Sequence, residues 1–224
     1  MSTPALHIIL FAVLASLFIL IHCDNQSRED VALFIFGDSI NDVGTNNYIN
    51  TTTNFRANFP PYGETFFRFP TGRFSDGHLI VDFIAEYANL PLIPPNLQMK
   101  DDEIKGGANF VSAGAGALVD TSEGFVVDLK MQQLEQLEKK LTKEMGSEKA
   151  ERLIKEGVYL ISIGSNVYFM PLFFNLALFQ SISVEDYVGM VVGNITSVLK
   201  VRNEQEFHHP PALQKVLSSL GRFY

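Results

Sequence analysis

Three apolar runs in this chain each break off in a cluster of small and polar residues. Leu33-Phe34-Ile35-Phe36 leads into Gly37-Asp38-Ser39-Ile40-Asn41-Asp42-Val43-Gly44. A short run within Gly106-Gly107-Ala108-Asn109-Phe110-Val111 feeds Ser112-Ala113-Gly114-Ala115-Gly116, and Val158-Tyr159-Leu160-Ile161-Ser162-Ile163 delivers Gly164-Ser165-Asn166. Short runs rich in β-branched and aromatic residues predict buried strands. Polar positions just past such strands are where open α/β sheets place their ligands.

Helical spacing fills the gaps between the strands. His78 to Asn89 is predicted as a helix started by Ser75-Asp76-Gly77, with Leu79, Ile80, Phe83, Ile84 and Tyr87 on its inner face. His78 falls on its first turn, a position that suits a solvated cap. Asp128 to Met145 carries the stripe Met131, Leu134, Leu137, Leu141 and Met145 with Glu and Lys opposite. Gly146 ends it, Ser147 caps a second helix to Glu156, and Gly157 closes that one. Ser183 to Lys200 opens on a capping-box-like pair, Ser183 and Asp186. Thr45 to Ser75 has no period and reads as a long ordered loop. Its phenylalanines at 55, 59, 66, 67, 69 and 74 read first as pins onto the core and second as an acyl-pocket lining.

Right-handed connections between parallel strands put the first strand between the second and third, in the order 2-1-3. Ser39, Gly114 and Asn166 then share one sheet edge. A serine so placed is a nucleophile if a base takes its proton and donors hold the oxyanion. Asp38 or Ser39 acting only as a helix cap is the other reading of the same residues.

Composition narrows the partners. Lys+Arg 17 against Asp+Glu 25 gives a net charge of −8 with no basic block, which argues against nucleic acid. The near-unbroken apolar stretch from Ile8 to Ile21 suits a signal-peptide core and is shorter than the roughly 20 residues a membrane span needs. Residues 1–23 are thus expected to be a signal peptide cleaved near Cys23, a signal anchor being the alternative. The mature chain is expected to be secreted. Cys23 is the only cysteine, so no disulfide framework is expected. Asn25, Asn50 and Asn194 open glycosylation sequons. About 200 residues remain, enough for one domain with a real core.

The lettering at Ser39 has two parallels. Gly-Asp-Ser-x-Asn-Asp also suits the magnesium-binding acidic motif of haloacid-dehalogenase-type phosphatases. That family needs an earlier strand ending in Asp-x-Asp, and nothing upstream of Val31 offers one. The better match is the Gly-Asp-Ser-Leu block of the GDSL (SGNH) esterases and lipases, here with Ile40 for leucine. The Gly106 to Gly116 stretch resembles the family's second block, whose oxyanion glycine maps onto Gly114, with the Ala113 N–H as an alternative donor. Gly164-Ser165-Asn166 resembles Gly-x-Asn-Asp, with Val167 in place of the aspartate. Phe59-Pro60-Pro61-Tyr62-Gly63 and Pro70-Thr71-Gly72-Arg73-Phe74-Ser75-Asp76-Gly77 extend the likeness to the secreted plant members, from Val31 to Lys200.

That resemblance implies a three-layer α/β/α flavodoxin-like sandwich with a parallel sheet, incomplete at the C-terminus. It implies serine-based ester hydrolysis with Ser39 as nucleophile and Gly114 and Asn166 at the oxyanion. No metal or cofactor is implied, the partner being an acyl-ester or lipid small molecule, with no stable membrane anchor after signal removal. Residues 24–200 would be the amino-terminal part of the hydrolase domain and 201–224 a tail outside it. The family's Asp-x-x-His block, which supplies the general base, is missing. Glu206-Phe207-His208-His209 shares only its outline, after too few strands and before two prolines. Impaired activity is therefore expected, a non-catalytic acyl-ester-binding or regulatory protein being the alternative.

Overall fold

A computed structural model describes residues 31–99, 104, 106–118, 127–174 and 178–204. The expected signal peptide, Asn25, His208 and His209 lie outside the described residues. Three parallel strands form the sheet: β1 (Leu33–Gly37), β2 (Gly107–Asn109) and β3 (Val158–Ser162), in the order β2-β1-β3. This is the 2-1-3 order expected from right-handed crossovers. Leu33 lies opposite Gly107 on one side and Val158 on the other.

Alternation along β1 sorts its side chains into two cores. Phe34 and Phe36 pack with Phe110, Leu134, Leu137, Leu141, Leu153 and Ile154, beneath helices α2 (Val127–Met145) and α3 (Ser147–Glu156). Leu33 and Ile35 pack with Leu79, Val81 and Ala85 of the segment that forms α1 (Ile80–Tyr87). Helices therefore cover both faces, and the fold is the three-layer α/β/α sandwich. The α2 stripe is seen at Leu134, Leu137 and Leu141, all buried. Gly146, not Ser147, occupies the N-cap of α3, and no side chain caps it. Tyr159 of β3 donates its hydroxyl to the Ile154 carbonyl at 2.8 Å, and burial pushes its phenol well above the usual range.

The inner face of α1 is not the one the apolar spacing predicts. Ile80, Phe83 and Tyr87 are 64%, 58% and 93% exposed, while Val81, Asp82 and Ala85 are buried. The helix is rotated because its buried face carries a charge. Asp82 takes both carboxylate oxygens to Arg73, from Nε and Nη2 at 2.9 Å each, and also accepts the Leu79 N–H at 2.8 Å. A hydrophobicity pattern places such an aspartate outside. β3 also departs from expectation: it is half-buried, with Val158 52% exposed, because no strand pairs with its outer edge among the described residues.

Three further helices follow β3. α4 (Ser165–Phe174) contains Pro171 and α5 spans Leu178–Ser181. Proline cannot supply the helical N–H to the carbonyl four residues back. That carbonyl belongs to Val167, and the buried hydroxyl of Tyr187 donates to it at 2.8 Å instead. Tyr187 lies on α6 (Val184–Glu204), whose start is the capping-box-like pair expected: the Asp186 N–H donates to Ser183 Oγ, and that hydroxyl donates to Asp186 Oδ2. α6 thus closes over Ala117, Leu118 and Val167, beside the polar strand ends.

Candidate active site

Ser39 stands one residue beyond Asp38 at the carboxyl end of β1, half-exposed, and opens a single 3-10 turn, Ser39–Asn41. The cap reading of this stretch holds: Asp38 Oδ1 caps the turn through the Ile40 N–H at 3.3 Å. Ser39 Oγ makes no hydrogen bond among the described residues. Gly37 lets the strands close up here, since a Cβ on it would lie 2.2 Å from the Ser162 carbonyl oxygen of β3.

Three loops meet around Ser39, each bonded to the other two. The first bond is from the Ala113 N–H to Asp42 Oδ2 at 2.8 Å, which ties the β1 loop to the β2 loop. The second runs from Ser165 Oγ to Asp38 Oδ2 at 2.5 Å and joins the β1 loop to the start of α4. Asn166 Nδ2 completes the triangle by donating to the Ala115 carbonyl at 2.9 Å. Ser39, Gly114 and Asn166, the three residues singled out from sequence, stand one on each of these loops.

Donor chemistry can be read from what is already occupied. The Ala113 N–H is taken by Asp42, so it is not the oxyanion donor that the sequence left open. The Gly114 N–H has no partner among the described residues, and Gly114 sits at φ +85°, a conformation that favours glycine. A Cβ there would also lie 2.8 Å from the Phe55 ring. One hydrogen of Asn166 Nδ2 is engaged by Ala115, which fixes the amide and leaves the other hydrogen available. Asp42 is fully buried and accepts from Gly44 N, Thr45 N and Ala113 N at 2.7–2.8 Å. Asp38 is also buried and engaged. Neither carboxylate is turned outward as a magnesium ligand would be, so the phosphatase-type reading of this lettering loses its metal site.

The family model for GDSL-like lipases and acylhydrolases matches residues 33–210. The chain belongs to the GDSL family. It is 51% identical over 181 residues to GDSL esterase/lipase 1 of Arabidopsis thaliana, covering 79% of this chain and 48% of that protein. GDSL esterase/lipase 5 of the same plant is 52% identical over 178 residues, covering 78% and 46%. The GDSL lipase of Tanacetum cinerariifolium is 47% identical over 177 residues, again covering 78% and 46%. The chain therefore spans about half the length of the relatives it matches. No solved structure matches it.

Sequence reading missed the residues that hold the GDSL loops together. Asn46 is buried and donates from Nδ2 to the carbonyls of Phe55, at 2.8 Å, and Ala113, at 3.0 Å. Asn109 donates to the Asn41 carbonyl at 2.9 Å and accepts the Val111 N–H at 3.0 Å. Both are single polar residues in Asn-rich or Gly-rich stretches, and nothing in the spacing separates them from ordinary turn residues.

His78 is not the solvated cap expected. Its side chain is 7% exposed and lies against Phe66, Phe67 and Phe83, with ring centroids 4.0, 5.5 and 5.2 Å away. Nδ1 lies 3.6 Å from Glu86, and no contact links the ring to Ser39. The loop phenylalanines likewise pack more on one another than on the core. Phe59, Tyr62 and Phe74 form one chain of edge contacts, and Phe66 and Phe69 stay largely exposed. Among the described residues no helix is long and apolar enough to cross a membrane.

Proposed function

We propose that Ser39 is the nucleophile of a carboxylic-ester hydrolase site, with the Gly114 N–H and Asn166 Nδ2 as its oxyanion donors. The observation that carries this is the triangle of hydrogen bonds among three strand-end loops. An oxyanion hole works by preorganisation: its donors must already be held where the negative charge will form. Asp42 on Ala113 and Asn166 on Ala115 fix the two residues that flank Gly114. The substrate class is an acyl ester or lipid, as the names of the relatives suggest.

The test is a pair of substitutions in a hybrid joining this chain to the carboxyl-terminal half of a relative. Ser39→Ala is expected to abolish ester hydrolysis. Asn166→Ala is expected to lower kcat by roughly 100- to 1,000-fold, the usual loss for one oxyanion donor. Undiminished hydrolysis by the Ser39 variant removes the assignment. Tight binding of an acyl ester by this chain without turnover would favour the binding or regulatory reading instead.

We also propose that the protein is exported, its mature form beginning near Asp24, with glycans at Asn25, Asn50 and Asn194. Asn50 is exposed in the Thr45 to Ser75 loop, and Asn194 is exposed on α6 although its Nδ2 donates to the Ala117 carbonyl at 3.2 Å. Amino-terminal sequencing of secreted material checks this. Intact Met1 on a membrane-bound product would contradict it.

A further inference from the structure

We propose that Ser165 is a positioning residue for Ser39, acting through Asp38. The inference rests on the reading of Ser39 as nucleophile. Asp38 is 1% exposed, and its two carboxylate oxygens are divided between two donors. Oδ1 takes the Ile40 N–H at 3.3 Å and Oδ2 takes the Ser165 hydroxyl at 2.5 Å. A carboxylate held at one oxygen can still swing about its own bond, and one held at both cannot. The Ile40 N–H belongs to the residue after Ser39, so the Asp38 plane sets the pitch of the turn that aims Ser39 Oγ.

Ser165 is well placed to be the fixed end of this linkage. It is the first residue of α4, directly after Gly164 and directly before Asn166. Gly37 brings β1 and β3 close enough for the two loops to touch, through its tight approach to Ser162. Removing the Ser165 hydroxyl leaves a buried charged oxygen without its donor, and such a group reorients to find another. The nucleophile loop then loses its registration against the loop that carries Asn166. Small misplacements of this kind act on turnover more than on substrate binding.

The experiment compares Ser165→Ala, Ser165→Thr and Ser39→Ala in the hybrid that joins this chain to the carboxyl-terminal half of a relative, with two readouts. The first is kcat and KM on a short-chain aryl ester. The second is amide hydrogen exchange at Ile40, with Val111, held by Asn109 Oδ1, as the internal reference. Ser165→Ala is expected to lower kcat by about 10- to 100-fold with KM nearly unchanged, the scale of a misplaced reacting group. It should speed exchange at Ile40 and leave Val111 alone. Ser165→Thr, which keeps the hydroxyl, is expected to restore both. Unchanged kcat and unchanged Ile40 exchange in Ser165→Ala would overturn the inference, as would equal loss of protection at Val111. A threonine variant as impaired as the alanine one would also overturn it. Where turnover is too slow to resolve, the exchange rates decide. Turnover that survives Ser39→Ala would instead remove the nucleophile reading, an outcome distinct from a silent Ser165→Ala beside a dead Ser39→Ala.

Discussion

The 224-residue chain is expected to turn over a short-chain aryl ester at a small fraction of the rate of a full-length relative such as GDSL esterase/lipase 1. On the proposed reading Ser39 has Gly114 and Asn166 as its donors, and no histidine among the described residues contacts it. A serine hydroxyl without a base beside it is protonated and weakly nucleophilic at neutral pH. No Asp-x-x-His occurs anywhere in the sequence. His78, the one histidine within the described residues, is packed between Phe66, Phe67 and Phe83, with Nδ1 3.6 Å from Glu86. Serine hydrolases that lose a triad member still retain roughly 10³- to 10⁴-fold over water, from binding and the oxyanion hole. Faint hydrolysis, little changed in Ser39→Ala because it comes from binding and the oxyanion hole, is the expected result of steady-state assays on the purified chain. Turnover equal to that of a full-length relative would defeat this reading and bring His208 or His209 forward as the base.

Arg73→Ala should destabilise the fold more than any single change in the loops around Ser39. The substitution strands Asp82, 1% exposed, in a buried setting without its two-pronged partner. Breaking a buried ion pair from one side typically costs about 3–5 kcal/mol. Against a usual domain stability of about 5–15 kcal/mol, that is a large share. Arg73 also joins Val43 of the Ser39 loop by a backbone bridge and places its guanidinium 4.8 Å from the Phe67 ring centroid. The aromatic loop, α1 and the Ser39 loop therefore loosen together. Arg73→Lys should recover little, since an ammonium offers no planar fork to both oxygens. Replacing both partners with apolar residues of similar volume should recover most of the loss. Urea unfolding followed by circular dichroism checks the series, and an Arg73→Ala midpoint equal to the parent's would refute it.

The sequence alone determined where the strands end and what stands there. Leu33 to Phe36 and Val158 to Ile163 are runs that only a sheet can bury, and glycine after each sets a turn at the carboxyl edge. The 2-1-3 order follows from chain handedness, and it puts Ser39, Gly114 and Asn166 on neighbouring loops. The helices α2, α3 and α6 were equally legible, because their apolar stripes or caps are local properties of a few residues.

Only the tertiary structure decided which face of α1 is buried and which polar groups hold the site. Asp82 turns inward because Arg73, nine residues earlier, meets it with two hydrogen bonds, and a periodicity of apolar residues cannot register a partnered charge. Asp42 reaches Ala113 across 71 residues, Ser165 reaches Asp38 across 127, and Tyr187 answers the carbonyl that Pro171 leaves open. Each of these bonds joins residues that are ordinary in their own stretch. Their roles come from the fold placing a buried donor opposite a buried acceptor, where leaving either unpaired would carry the full desolvation cost.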